Sequence, residues 1–203
     1  MTARLSAFEY DQAAMEAGWD SPLRVRAFVE SRLRGGMVVV DLGIGTGQAI
    51  QGYADKGVRV IGIDHDPAML DTAGHRIDVN GRTIRADINE QLPLSDVYGA
   101  VDVVQAVGVL EFARDFSKLV HQVVTLLKPS GLFIGTIEVT TGDALAVERF
   151  DELTVYRHSV DEVRATLEQN GLKVHHEELY DGYRRGDTPS AGVPYYLFVA
   201  QPK

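Results

Sequence analysis

The residues of this chain best placed to do chemistry are two aspartates set around a run of glycines. Residues 38–47 read V-V-V-D-L-G-I-G-T-G, with Gly43, Gly45 and Gly47 at every second position after Asp41. Such glycines let a backbone turn tightly and approach a ligand closely. A carboxylate beside that loop repels phosphate and suits a ligand carrying positive charge or N–H donors. Asp64 closes a second apolar run, residues 58–63, and a carboxylate there can accept bonds from both hydroxyls of a ribose. The dinucleotide fingerprint is G-x-G-x-x-G with an acidic residue about 20 positions on. Here the spacing is G-x-G-x-G with Asp41 before it and Asp64 near the expected distance. Either way a nucleoside sits at the carboxyl ends of parallel strands. What covers the glycines differs: a pyrophosphate, or the amino-acid end of S-adenosylmethionine.

These side chains need elements to hold them. The valine run bounded by glycine predicts a strand buried on both faces. Residues 46–56, closed by Gly57, are predicted as a helix whose free N–H groups begin at Thr46. Before the glycines, residues 7–15 have helical spacing. Ser21 is predicted to cap a second helix with Pro22 at its first position, and Val25, Phe28 and Val29 face inward over 23–33. Further on, Asp66-Pro67 opens a helix to about residue 74, and 83–86 is a short strand before a loop over 87–95. Residues 101–107 form a strand, 115–127 a helix ending in a turn at 128–131, and 132–139 the fifth strand. Residues 159–170 form a helix stopped at Asn170-Gly171, and 172–179 and 195–201 are strands that pair antiparallel. The alternation predicts an α/β protein, a Rossmann-like three-layer α/β/α sandwich. Its sheet has seven strands, mostly parallel, with one antiparallel strand near the C-terminus. One domain is expected over 1–203, with 1–35 a helical cap over the site and 36–203 the core.

Composition removes several classes. At 203 residues the chain suits one well-buried domain, and its 45% hydrophobic content is ordinary for a globular protein. No apolar run approaches the length of a membrane helix, and the first ten residues lack an apolar signal core. A cytoplasmic protein without a membrane partner is expected. The chain has no cysteine, which excludes disulfides, thiolate catalysis and cysteine-bound metal. No metal site is expected. A net charge of −9 argues against a nucleic-acid partner.

Four segments carry a resemblance. They are D-L-G-I-G-T-G (41–47), V-I-G-I-D-H-D-P-A-M-L (60–70), A-D-I-N-E-Q-L-P-L (86–94), and V-D-V-V-Q-A-V-G-V-L-E-F (101–112) with L-L-K-P-S-G-L (126–132) after it. In this order and at this spacing they resemble the motifs of class I S-adenosylmethionine-dependent methyltransferases, over roughly residues 38–203. The resemblance implies S-adenosyl-L-methionine as cofactor and S-adenosyl-L-homocysteine as product. It implies that Asp41 meets the amino-acid end, Gly43, Gly45 and Gly47 shape the loop, and Asp64 takes the ribose hydroxyls. His65 would lie against ribose or adenine, Asp87 would hold the adenine amino group, and Ile88 would cover the ring. The backbone at Gln105 and Ala106 would line the methionine side, and Tyr10 would bond the methionine carboxylate.

The acceptor side is less specific. Glu111 follows the fourth strand, where acceptors approach in similar enzymes, and Glu138 ends the fifth. His158, in the stretch Tyr156-Arg157-His158, is a second candidate base near neutral pH. Residues 180–194, with Tyr183, Arg184, Arg185 and Asp187, are read as a lid or a solvated loop. Enzymes that methylate amide or exocyclic amine nitrogens resemble one another in an Asn/Asp-Pro-Pro-Tyr motif, and here residues 105–108 read Gln-Ala-Val-Gly. A small-molecule acceptor at oxygen, nitrogen or carbon is the expectation, on a monomer or homodimer. Three alternatives stand beside it: transfer of another group from a related cofactor, a cofactor-binding module acting through a protein partner, and an NAD-binding oxidoreductase.

Overall fold

The structure is a computed structural model, and it describes residues 6–140, 147–150, 153–183 and 192–203. Two helices lead the chain, α1 (Ala7–Glu16) and α2 (Ser21–Glu30). The first has a capping box: Ser6 Oγ accepts from the Glu9 N–H and the Glu9 carboxylate returns the bond. The second begins one residue earlier than predicted, with Asp20 at the cap position. Ser21 is thereby inside the helix, fully buried, and its hydroxyl shares a 2.7 Å bond with that of Tyr180.

Five parallel strands follow: β1 (Val38–Leu42), β2 (Arg59–Asp64), β3 (Arg82–Arg85), β4 (Val101–Val107) and β5 (Leu127–Glu138). Between them run α3 (Pro67–Gly74) and α4 (Phe116–Leu126). A hairpin comes next, β6 (Val147–Phe150) against β7 (Leu153–Tyr156), then α5 (Val160–Gln169), β8 (Leu172–Tyr183) and β9 (Val193–Pro202). The main sheet has the order β3-β2-β1-β4-β5-β9-β8. Only β9 runs opposite to the other six strands, pairing antiparallel with β5 and β8, so the seven strands match the expected sandwich. The order reverses between β1 and β4, and ligands of such sheets gather at the carboxyl ends beside that point.

Alternation along the buried strands feeds two apolar layers. Val40, Leu42, Ile61 and Ile63 pack with α4 and α5 on one face. Val39, Val60 and Val103 pack with α2, α3 and Tyr53 on the other. Both faces of the strands are covered, which is why they read as continuous valine and isoleucine runs.

Three local expectations are corrected. Residues 46–56 do not form a helix. They wind through turns closed at three-residue spacing, with Ile50 N bonding Gly47 O and Tyr53 N bonding Ile50 O, and end in a short 3-10 turn, Ala54–Lys56. Gly47 and Gly52 have φ of 83° and 85°, in the left-handed region that a right-handed helix does not visit. The anion-binding helix terminus expected at Thr46 is therefore not there. The turn expected at 128–131 is the irregular start of β5, where the register with β4 shifts between Val101 and Val103. Gly131 passes so near β4 that an added Cβ would lie 2.9 Å from the Val101 carbonyl oxygen. The β6–β7 hairpin was not foreseen. Of the expected lid, Tyr183 ends β8, whereas Arg184, Arg185 and Asp187 lie outside the described residues.

Candidate cofactor and acceptor site

The site begins where β1 and β4 lie side by side, with Asp41 opposite Gln105 and Leu42 opposite Ala106. Asp41 is 1% exposed. The Tyr53 hydroxyl donates to Gln105 Oε1 at 3.2 Å, and Gln105 Nε2 donates to Asp41 Oδ2 at 3.0 Å. Burial pushes the Asp41 carboxyl up to about 7, against the opposing effect of the Gln105 bond and with the Asp64 charge adding to it.

The glycine loop fits closely against the loop leaving β4. Gly43 has φ 64°, and a Cβ on it would lie 2.4 Å from Val109 Cγ2. Gly108 has φ 62°, and a Cβ there would lie 2.5 Å from Trp19 Cζ2. Trp19 packs edge-on to Tyr10 at 6.5 Å, and its indole Nε1 is buried with no partner among the described residues. Asp64, at the end of β2, accepts from the Gly45 N–H at 2.9 Å and the Asp66 N–H at 2.9 Å, so it ties the glycine loop to the next strand. His65 points outward, with Nδ1 3.3 Å from Asp64 Oδ1. Asp87 lies exposed just past β3, accepting from the backbone and side chain of Asn89. Ile88 is buried next to it and lines a cleft of about 290 Å³ with Asn89, Arg114 and Lys118.

Asp11 was missed by sequence reasoning. Its Oδ1 accepts from Thr46 Oγ1 at 2.6 Å and from Gln48 Nε2 at 2.8 Å, and Arg76 stands 3.6 Å from Oδ2. Those bonds hold α1, and with it Tyr10, over the glycine loop. An aspartate beside Tyr10 was the only signal, and one residue on a helix does not reveal its distant partner.

Past Gly108 the groups change character. Glu111 is 2% exposed and its Oε1 accepts from the Tyr195 hydroxyl at 2.5 Å. Burial pushes its carboxyl up to about 7; the Tyr195 bond works the other way, and the Glu138 charge adds to the rise. Tyr10, about a third exposed, is raised to about 12, first by its partial burial and then by the charges of Glu111, Asp11 and Asp64. Glu138 is buried and pairs with Arg157, which also pairs with Glu148; the Tyr183 hydroxyl donates to Glu138 at 3.3 Å. His158 is set apart. Its ring packs on Phe116 of α4 at 5.6 Å, and its backbone bridges Val139 and Thr140. Thus Tyr10, Asp41, Asp64, Gln105, Ala106 and Glu111 come together about the glycines, with His65, Asp87 and Ile88 along one flank.

The fold has counterparts among known proteins. Residues 40–135 match the family described as Methyltransferase domain. An uncharacterized methyltransferase from Mycobacterium sp. (strain JLS) is 32% identical over 108 residues, a match that spans 53% of this chain and 41% of that protein. The chain thus spans less than half the length of that curated relative. Among solved structures, a chain from the complex of the Haloferax volcanii Trm112 methyltransferase activator with a methyltransferase superposes with a TM-score of 0.72. It is 21% identical, over 97% of this chain and 95% of that one. Burkholderia thailandensis 1,6-didemethyltoxoflavin-N1-methyltransferase, solved with 1,6-didemethyltoxoflavin and S-adenosylhomocysteine, gives 0.74 at 18% identity, over 96% of this chain and 83% of that one. The domain match over the glycine loop takes in a little under half of this chain, and the whole fold superposes on solved methyltransferases, so the chain is similar to S-adenosylmethionine-dependent methyltransferases.

Proposed function

We propose that the chain transfers the methyl group of S-adenosylmethionine to a small-molecule acceptor. The observation that carries this reading is the row of carboxylates at the carboxyl ends of three adjacent strands: Asp41 on β1, Asp64 on β2 and Asp87 just past β3. The cofactor presents matching groups, an ammonium and sulfonium, two ribose hydroxyls and an adenine amino group. Asp41 meets the charged end, Asp64 the ribose and Asp87 the adenine. Ile88 supplies an apolar wall for the ring, His65 flanks the ribose, and the backbone at Gln105 and Ala106 lines the methionine side. Gly43, Gly45 and Gly47 keep side chains out of the space. The buried Trp19 Nε1 donor and the Tyr10 hydroxyl suit the methionine carboxylate.

When bound, the cofactor supplies a methyl group already activated on a sulfonium. The chain's own work is to orient an acceptor and exclude water, and positioning alone is worth several kcal/mol. That the Burkholderia relative was solved with a small heterocycle together with S-adenosylhomocysteine supports the acceptor class.

Calorimetric titration with S-adenosylhomocysteine, beside NAD, on wild type and Asp64→Ala tests the reading. Micromolar binding of the former, lost in the variant, is expected. Binding of NAD alone, or of neither, refutes it. Tight binding without turnover of labelled methyl on any acceptor would favour a module that acts through a partner.

A further inference from the structure

The Glu111 cluster has a chemistry that the cofactor does not use. Glu111 Oε2 is buried and has no hydrogen-bond partner among the described residues. A buried acceptor left unpaired destabilises a fold, more so when charged, so such an oxygen calls for a ligand that completes it. Its neighbourhood is aromatic. The Tyr183 and Tyr180 rings stand 5.9 and 6.1 Å from that of Tyr195, which holds Oε1, and Tyr10 lies near on the α1 side. Two cations stand near and both are engaged: Arg157 with Glu138 and Glu148, and Arg24, over the Tyr180 ring at 4.4 Å, with Asp20 and Glu178. A cleft of about 260 Å³ adjoins the cluster between the end of α1 and the β8–β9 strands. It is lined by Glu16, Ala17, Gly18, Asp181, Tyr183 and Gly192, with no basic side chain among the described residues.

Resting on the methyltransferase reading above, we propose that this cluster binds the acceptor through a basic amine. A compact amine packs against the Tyr195 and Tyr183 rings and donates an N–H to Glu111 Oε2. A carboxylate framed by aromatic rings recognises an ammonium through charge, hydrogen bond and ring quadrupole together. A hydroxyl could donate one bond but brings no charge to offset Glu111, and a carboxylate is repelled. The same contact moves the proton. The ammonium N–H breaks, the proton bonds Oε2, and the electron pair stays on nitrogen as the nucleophile. The groups facing Glu111 are Tyr195 from β9, Glu138 from β5 with Arg157 on it, Tyr10 from α1 and Tyr183 from β8. Near-neutral titration of Glu111 suits such a proton acceptor. Tyr195 is a positioning residue.

The test is calorimetry on the full chain saturated with S-adenosylhomocysteine at pH 8, with benzylamine, benzyl alcohol and benzoate as probes. Benzylamine is expected to bind at least tenfold tighter than benzyl alcohol, with benzoate undetectable. Glu111→Gln should lose at least tenfold for benzylamine and hold S-adenosylhomocysteine within twofold. Tyr195→Phe should move the pH midpoint of benzylamine binding upward, because Glu111 loses a bond that favours its charged form. Equal binding of the alcohol, binding of benzoate, or an unaltered Glu111→Gln overturns the proposal. Should Glu111→Gln fail to fold, the Tyr195→Phe midpoint decides, and an unshifted midpoint overturns it. If the wild type does not bind S-adenosylhomocysteine, the cofactor reading falls. The benzylamine series on the free chain then judges Glu111 separately.

Discussion

Replacing Asp41 by Asn should stabilise the unliganded protein by an amount that grows as pH rises from 3.8 to about 7 and is constant above. Asp41 is buried at the end of β1, and its carboxyl is pushed from 3.8 to about 7 chiefly by loss of water. Between those two values the folded state holds a proton that the unfolded chain has released. The stability that this proton provides is complete below 3.8 and is lost as pH rises to about 7. At pH 8 both states are ionised, and the folded state carries a buried charge eased by the Gln105 amide alone. Asn keeps the shape and the acceptor for Gln105 but cannot ionise. At about 1.4 kcal/mol for each pKa unit, the stability gap between Asp41→Asn and wild type should widen by about 3 kcal/mol from pH 5 to pH 8. With a urea slope of about 2 kcal/mol/M, the separation of the unfolding midpoints should grow by about 1–1.5 M. Urea titrations at the two pH values, read by circular dichroism, measure it. The same variant should bind S-adenosylhomocysteine at least tenfold more weakly. Midpoints that shift in parallel would refute the buried-charge account, and an unchanged affinity would revive the NAD-binding alternative.

Gly43→Ala should lower the melting temperature by roughly 6–12 °C. A left-handed φ costs a non-glycine residue about 1–2 kcal/mol and the contact with Val109 about as much again. Gly43→Ala with Val109→Ala should melt above Gly43→Ala alone, whereas simple addition of the two losses would argue against that contact. Asp11→Ala should weaken S-adenosylhomocysteine about tenfold by releasing α1 from Thr46 and Gln48, with the melting temperature lowered by less than about 3 °C; calorimetry and thermal melting separate the two effects. Arg157→Met should destabilise by about 3–5 kcal/mol in urea titration, because Glu138 keeps its buried charge without its guanidinium partner.

Strand positions were legible because burial on both faces writes itself as runs of valine and isoleucine, as in residues 38–40 and, on either side of Asp102, in 101–104. Asp41, Asp64 and Asp87 were legible as charged residues where those runs end. The turns over 46–56 were not, since Gly52 inside an otherwise helical spacing carries no mark of its φ. Nor was the irregular start of β5, where Pro129 and Gly131 read as a turn and the close passage of β4 makes them a strand. Asp11 escaped because its partners lie 35 and 37 residues away. Glu111 could be named from its place after β4, but the hydroxyl that holds it comes from β9, 84 residues on. Sequence periodicity reports what a residue faces, and contacts across the sheet reports only once the strand order is known.

Asp41 and Glu111 share a physical situation that bears on how the two halves of the site work together. Both are buried carboxyls raised to about 7, one held by an amide and the other by a phenol. Each disfavours its own charge in the absence of a ligand, and each would gain that charge when a cation arrives. A fold that wanted only stability would place apolar side chains at both positions. The retained carboxyls instead make cation binding and proton release one event, at the carboxyl ends of the sheet where β1 and β4 diverge.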